Sequence, residues 1–300
     1  MKKRISLFIV TTLFISSNLL AQDVVVKKDT SYWKKTKQFG LNINEGGVNN
    51  SYAAGGQNSI GVNLFFNTKS EYTKEKTTWV NDFQAQYGTI NTFGQGGTGT
   101  RKVIDRIFFD SKIGHRLSKI WSLVGGFNFQ TQFDNGFKYG GKTDGGNLLI
   151  SNFLSPAFST EYIGLEWKPK PYFNVVFAPG ALRQTIVIDD AVYKDAKGVI
   201  QAEKYGVAYG KNILNEVGIL QIVASYDKDI ANNVNLKTRY QMFFNANRIE
   251  HIDNRLDVKM AAKINKYFSA TIDFIVLYYD NQTTEIQTAH NLGLGILYVF

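Results

Sequence analysis

Residues 121–133 read WSLVGGFNFQTQF. Trp121, Leu123, Gly125, Phe127, Phe129 and Phe133 share one parity; Ser122, Asn128, Gln130 and Gln132 share the other. Successive side chains of a strand point to opposite faces, so this period of two describes a strand with one apolar and one polar face. The pattern recurs along the chain. Val234, Leu236, Tyr240, Met242 and Phe244 alternate with Asn235, Lys237, Arg239 and Gln241. Leu256, Val258, Met260, Ala262 and Ile264 alternate with Asp257, Lys259 and Lys263. Phe268, Ala270, Ile272, Phe274, Val276 and Tyr278 form another apolar face. Leu292, Leu294, Ile296, Tyr298 and Phe300 alternate with Asn291, Gly293 and Gly295. One such segment is a weak signal; its repetition carries the reading.

Marked in this way, twelve strands are expected, at 38–45, 58–66, 77–88, 104–114, 121–133, 158–167, 172–180, 214–226, 234–245, 254–264, 268–279 and 290–300. A length of about 10 residues suits a tilted strand crossing a bilayer, and an even count suits a single-chain bacterial barrel. The gaps then sort by length. Those at 46–57, 89–103, 134–157, 181–213, 246–253 and 280–289 are mostly long and rich in Gly, Asn and Thr; within 181–213, Thr185 to Ile188 is β-prone, so strands seven and eight could also run on above the membrane as a hairpin. Those at 67–76, 115–120, 168–171, 227–233 and 265–267 are mostly short. Long loops on one side and short turns on the other is the pattern of outer-membrane barrels.

Aromatic residues sort by strand end as well. The chain has 4 Trp, 16 Tyr and 22 Phe. Trp79, Trp121, Trp167, Tyr172, Tyr226, Tyr267 and Phe300 fall at the short-turn ends, and Tyr87, Phe133, Phe158, Phe244 and Tyr279 at the long-loop ends. Amphipathic rings favour the two membrane–water interfaces. A soluble β-sandwich also alternates, but nothing in that fold sorts its aromatics by strand end. The expected fold is therefore all-β: an antiparallel up-and-down transmembrane barrel spanning 38–300.

The N-terminus reads as a secretory signal. Lys2, Lys3 and Arg4 precede the apolar run Ile5 to Leu20, which ends at Ala21. Residues 1–21 are thus expected to be cleaved, leaving Gln22 first. The run is short for a membrane helix and is broken by Thr11, Thr12, Ser16, Ser17 and Asn18. Residues 22–37, with Lys27, Lys28, Lys34, Lys35 and Lys37, read as a flexible periplasmic lead. Localisation in the outer membrane of a Gram-negative bacterium follows. With no Cys, the chain has neither a disulfide framework nor a thiolate metal or redox site. The formal charge of +9 is spread rather than clustered, which argues against a nucleic-acid partner.

Motifs that suggest chemistry fail on context. Gly136 to Thr143 (GFKYGGKT) fits the P-loop spacing, but Asp144, Gly145, Gly146 and Asn147 follow where a helix must begin. Gly94, Gly96 and Gly99 fit a dinucleotide fingerprint with no βαβ unit around them. Asp227 and Asp229 open like a calcium loop, yet Ala231 holds the fifth position. His115, His251 and His290 lack ligand spacing, and no His lies in sequence beside a serine that could form a lipase site. No catalytic, cofactor or metal residue is assigned, and the chain is read as a non-enzyme. Instead, the polar parity gathers charge. Arg106, Asp110, Lys112, Lys237, Arg239, Asp257, Lys259, Lys263 and Asp273, together with Asp82, are expected to line the lumen. Such a mixture either lines a pore or fills a narrow interior with ion pairs.

Several phrases together carry a family likeness. Ser51-Tyr52-Ala53-Ala54-Gly55-Gly56-Gln57-Asn58-Ser59 resembles an N-W-A-A-G-G-x-N-S signature with Tyr52 in place of Trp. Thr131-Gln132-Phe133 with Gly136, then Ile150 to Ala157 (ISNFLSPA), then Ala178-Pro179, follow in order. The chain resembles, over about 31–300, an uncharacterised domain-of-unknown-function family of outer-membrane barrels from Bacteroidetes-type bacteria. The resemblance implies the envelope location and the barrel, and no activity. It puts Ser51, Tyr52, Gly55, Gly56, Asn58, Ser151, Asn152, Phe153 and Pro156 in or beside outer loops, where function often resides. Those loops could also fold inward and constrict a pore, and the small residues could equally serve loop packing. The expected role is a passive channel or transporter for small solutes, with a plugged surface-interaction barrel as the alternative and a lipid hydrolase third. Expected partners are outer-membrane lipid, small solutes, and the assembly machinery reached through Phe300.

Overall fold

A computed structural model describes residues 31–46, 58–93, 99–246, 252–265, 268–279 and 285–299. Twelve long strands close into one ring: β1 (Trp33–Gly46), β2 (Asn58–Lys74), β3 (Thr77–Phe93), β4 (Gly99–Arg116), β5 (Trp121–Thr131), β8 (Ala157–Lys170), β9 (Phe173–Ile186), β12 (Ile213–Ala231), β13 (Val234–Asn245), β14 (Ile252–Lys263), β15 (Phe268–Tyr278) and β16 (Gln287–Val299). Four short strands lie in the loops: β6 (Gly136–Lys138) pairs with β7 (Leu148–Ser151), and β10 (Glu203–Lys204) with β11 (Val207–Ala208). Every barrel neighbour is antiparallel and follows in sequence, and β1 closes on β16 through pairs such as Phe39↔Tyr298. Closure leaves no unpaired edge, which is what backbone polar groups in hydrocarbon require. Among the described residues no helix is long and apolar enough to cross a membrane.

The expected strands are all present, but several run further than alternation indicated. β1 begins at Trp33, so Lys34, Lys35 and Lys37 belong to the barrel and not to a flexible lead. β2 and β3 meet in a two-residue turn at Glu75 and Lys76 rather than the ten-residue gap 67–76. Asp229, placed in a turn from sequence, lies in β12, which ends at Ala231. The physical reason is common to all three. Hydrophobic alternation stops where the lipid stops, whereas the hydrogen-bonded ladder continues into water with polar residues on both faces.

The largest correction concerns 181–213. β9 continues through Pro179 and Gly180 to Ile186, and β12 begins at Ile213, where the two pair as Ile213↔Ile186. Pro179 has no N–H for the ladder. It is accommodated because the ladder is interrupted there: the register shifts between Ile163↔Gly180 and Leu165↔Phe177 on one side, and on the other the pairing lapses between Gly218↔Ala181 and Gln221↔Ala178 without a shift. A bulge of this kind lets a strand continue past a proline.

The long loops between β5 and β8 and between β9 and β12 fold on each other. Val187, Val192, Tyr193 and Val207 form a small core, with Leu149, Tyr205 and Leu214 packed against it. The Tyr205 hydroxyl donates to the Ile150 carbonyl at 2.6 Å. Burial pushes that hydroxyl up to about 12. The P-loop look-alike at 136–143 is strand β6 followed by a turn, in which the Gly141 amide donates to the Lys138 carbonyl.

Facing follows the parity read from sequence. On β14, Leu256, Val258 and Met260 pair across to Tyr240, Thr238 and Leu236 on the outer face, and Asp257 and Lys259 pair with Arg239 and Lys237 on the inner one. Val258→Lys is therefore expected to destabilise the folded barrel by about 2–4 kcal/mol, because it sets a charge in mid-bilayer. Lys259→Val, on the lumen side, should cost well under half as much. Urea unfolding in lipid vesicles measures both, and equal losses would mean that the facing is inverted.

One glycine is set by close approach on the inner face. Gly126 pairs with Tyr162, whose ring lies flat over it, so that a Cβ would fall 2.2 Å from Cζ. Gly126→Val must swing that ring into the lumen, and a loss of about 1–3 kcal/mol is expected in the same unfolding assay.

Candidate functional site: the charged lumen

The outer surface shows where the barrel resides. Ile163 is 69% exposed, Leu292 63% and Leu294 60%, and Phe39, Ile43, Ile113 and Ile219 also lie open. A water-soluble protein does not expose an apolar belt of this extent. Around the short-turn rim, Trp33 stacks with Tyr72 and Trp79 at 5.2 and 5.7 Å, and Tyr172 with Tyr226 at 5.7 Å. An aromatic girdle bordering a lipid-facing belt is the surface of an outer-membrane-type barrel. Two residues assigned to the opposite girdle do not belong to it. Phe158 and Tyr279, with ring centroids 6.1 Å apart, face inward and line the lumen. Tyr267 and Phe300 lie outside the described residues.

Inside, the predicted charges meet across the barrel. Lys237 Nζ on β13 donates to Asp82 Oδ2 on β3 at 3.1 Å. Arg106 on β4 lies 3.8 Å from Asp257 on β14, and Arg239 on β13 lies 3.7 Å from Asp110 on β4. β3 and β4 stand on the far side of the ring from β13 and β14, so these pairs bridge the lumen. Lys259 pairs with Asp273 on the adjoining strand at 3.5 Å. Lys112 Nζ contacts Glu166 Oε1 at 2.5 Å, against the wall. Lys263 lies towards the short-turn mouth, among the residues that line the interior space.

That space is a cavity of about 610 Å³ in the short-turn half, bordered by Lys237, Lys259, Asp82, Asp257 and Asp273 among others. Towards the loops the interior is filled. Gln221, Thr160, Arg183, Glu216, Arg255 and Asn128 are all nearly or fully buried. A residual space of about 30 Å³ remains there, bordered by Arg183, Arg255, Phe158 and Tyr279. Phe108 and Arg239 border both spaces and form the partition between them. The residues bordering the smaller space come from the barrel strands and from Tyr279 beside β15, not from the 134–157 loop.

Three further residues face the lumen, of which parity could have identified two. Arg255 and Asp253 share a face with Asp257, and Arg255 donates to both Asp257 oxygens at 2.7 and 2.8 Å. Arg183, hidden in the segment taken for a loop, forms a buried ion pair with Asp253 and stacks 3.7 Å over the Phe243 ring.

The loop motifs resolve differently. Asn58 is the first residue of β2, beside the outer loop. Ser151, Asn152, Phe153 and Pro156 lie where expected, beside or within the loop, but their polar groups are used locally. Gln132 Nε2 donates to the Asn152 carbonyl at 2.9 Å, and Asn152 Nδ2 to Asp189 at 2.7 Å. The Leu154 amide donates to Thr131 Oγ1, and that hydroxyl to the Pro156 carbonyl. A Cβ on Gly136 would fall 2.1 Å from Ser151 Oγ. The shared small residues thus close a tightly packed loop, with Phe153 left 48% exposed. Ser51, Tyr52, Gly55 and Gly56 lie outside the described residues. No cluster of His, Asp or Glu among the described residues could hold a metal ion.

Residues 43–137 match the model of a family described as a protein of unknown function (DUF3078). No curated protein matches the chain. Among solved structures, a NanC porin is 8% identical, with 87% of this chain and 98% of that one covered and a TM-score of 0.39. An outer membrane channel from Pseudomonas putida F1 is 9% identical, with 90% and 95% covered and a TM-score of 0.38. The translocator domain of the autotransporter NalP from Neisseria meningitidis is 14% identical, with 89% and 87% covered and a TM-score of 0.34.

Proposed function

We propose that this barrel is an outer-membrane channel for small solutes, narrowed at mid-barrel by its own charged side chains. The observation that carries the reading is the cavity of about 610 Å³, with charged side chains in its lining and ion pairs that bridge the lumen at its head. A barrel that only needed filling would be at least as stable with apolar side chains. Buried ion pairs are often neutral or unfavourable against well-packed hydrophobic residues. Charge kept at the narrowest level is the chemistry of a selectivity region. The lumen residues from Arg106 to Asp273 are proposed as its lining. On the motif resemblance, its source is placed among Bacteroidetes-type bacteria, and its surrounding partner is outer-membrane lipid.

One observation favours a second reading, a plugged barrel that acts through its surface. The loop-side half is packed, with Gln221 fully buried and Thr160 3% exposed. Single-channel recording of the refolded protein in a planar bilayer separates the two. Discrete openings of small amplitude support the channel. A folded protein that stays silent at every voltage supports the plug and removes the channel reading.

A further inference from the structure

The ion pairs at the head of the cavity do not balance. Arg255 occupies both oxygens of Asp257, at 2.7 and 2.8 Å. Arg106 is left 3.8 Å from the same carboxylate, beyond hydrogen-bond length, and its buried Nε has no hydrogen-bond partner. Arg239 uses Nη1 on Gln241 at 2.9 Å, while its Nη2 stands 3.7 Å from Asp110, whose buried Oδ1 accepts no hydrogen bond. The lysines of the same wall are more nearly paired, Lys237 with Asp82 and Lys259 with Asp273. The looser contacts therefore fall on Arg106 and Arg239, neither of which comes within hydrogen-bond length of a carboxylate. Their guanidiniums both lie against one ring, 4.7 and 5.6 Å from the centroid of Phe108. Both cations line the head of the cavity, one with a buried N–H that has no hydrogen-bond partner and the other 3.7 Å from its nearest carboxylate.

We propose that Arg106 and Arg239 form an anion-binding site at the head of the larger cavity, taking the carboxylate or phosphate group of a small organic solute. The proposal deepens the channel reading by naming the class of solute, and it rests on that reading. A guanidinium presents a planar fork of donors that fits two oxygens of one anion, and charge-assisted bonds of this kind are about twice as strong as neutral ones. A neutral solute would leave the fork half-filled, and a cation would be repelled. The size of the cavity admits a small dicarboxylate with its hydration.

The test is calorimetric titration of the full-length protein, refolded in detergent at low salt. Succinate and inorganic phosphate serve as anionic probes, glucose as the neutral one and putrescine as the cationic one. Either anion is expected to bind, with no measurable binding of glucose or putrescine. Arg106→Gln combined with Arg239→Gln should weaken anion binding at least about tenfold, the equivalent of one lost charge-assisted contact. Lys197→Gln, on an exposed turn of the outer loop and away from the cavity, should leave it unchanged. If the double variant fails to refold, Arg106→Lys keeps the charge but loses the fork, and a clear drop in affinity still supports the site. Absence of anion binding, equal binding of glucose, or affinity indifferent to the arginines overturns it. Conductance without anion binding removes the site and leaves the channel. Anion binding by a protein that stays silent in bilayers keeps the site and removes the channel.

Discussion

Replacing Phe108 and Arg239 together by alanine is expected to raise single-channel conductance severalfold over the unmodified barrel. Among the described residues these two side chains alone border both the cavity of about 610 Å³ and the small space on the loop side. Phe108 is 5% exposed, and the guanidiniums of Arg106 and Arg239 both lie against its ring, 4.7 and 5.6 Å from the centroid. Arg239 holds its place through Gln241 and a loose approach to Asp110 across the lumen. Truncating both removes the partition without touching the strand ladder, so the barrel should still fold. Leu256→Ala, on the lipid face, is the control that should leave conductance unchanged. The change should also reduce any preference for anions, since one of the two cations at the narrowing is gone. A folded double variant with unaltered conductance would locate the block in the packed loop-side half, and the plug reading would prevail.

Asp253→Ala is expected to destabilise the barrel by about 3 kcal/mol in urea unfolding, the largest loss from any single lumen substitution considered. Arg183 and Asp253 form a buried ion pair between β9 and β14, with Arg183 5% exposed. The guanidinium is clamped between Phe243 at 3.7 Å and Tyr279 at 5.4 Å. Removing its carboxylate leaves a cation in a space too small to hydrate it fully. Adding Arg183→Met should recover most of the loss, because the uncompensated charge then disappears with its partner. A cost below about 1 kcal/mol for Asp253→Ala would show instead that lumen water reaches Arg183, as it does at exposed pairs, and would open the loop-side half to solute.

Much of this molecule is legible without coordinates, and the reason is geometric. A strand has a period of two, and a barrel in lipid must place apolar side chains on one parity and may place polar ones on the other. Alternation therefore decided the fold, the strand count and the inward facing of residues from Arg106 to Asp273. It failed where lipid no longer enforces the pattern. β1 to β3 extend into water, and β9 passes Pro179 by a bulge that no parity rule announces. Arg183 was lost to the sequence reading for that reason. Parity also cannot say which charges meet. Arg106 and Asp257 lie on strands with five other barrel strands between them along the chain, and they come together only because closure brings β4 opposite β14. The division of the lumen into an open half and a packed half was decided in the same way. It depends on how side chains of different lengths, projected from twelve strands onto one axis, fill or fail to fill a common volume. The sequence by itself determined which residues face that volume; tertiary closure decided which of them touch, and left Arg106 and Arg239 short of acceptors.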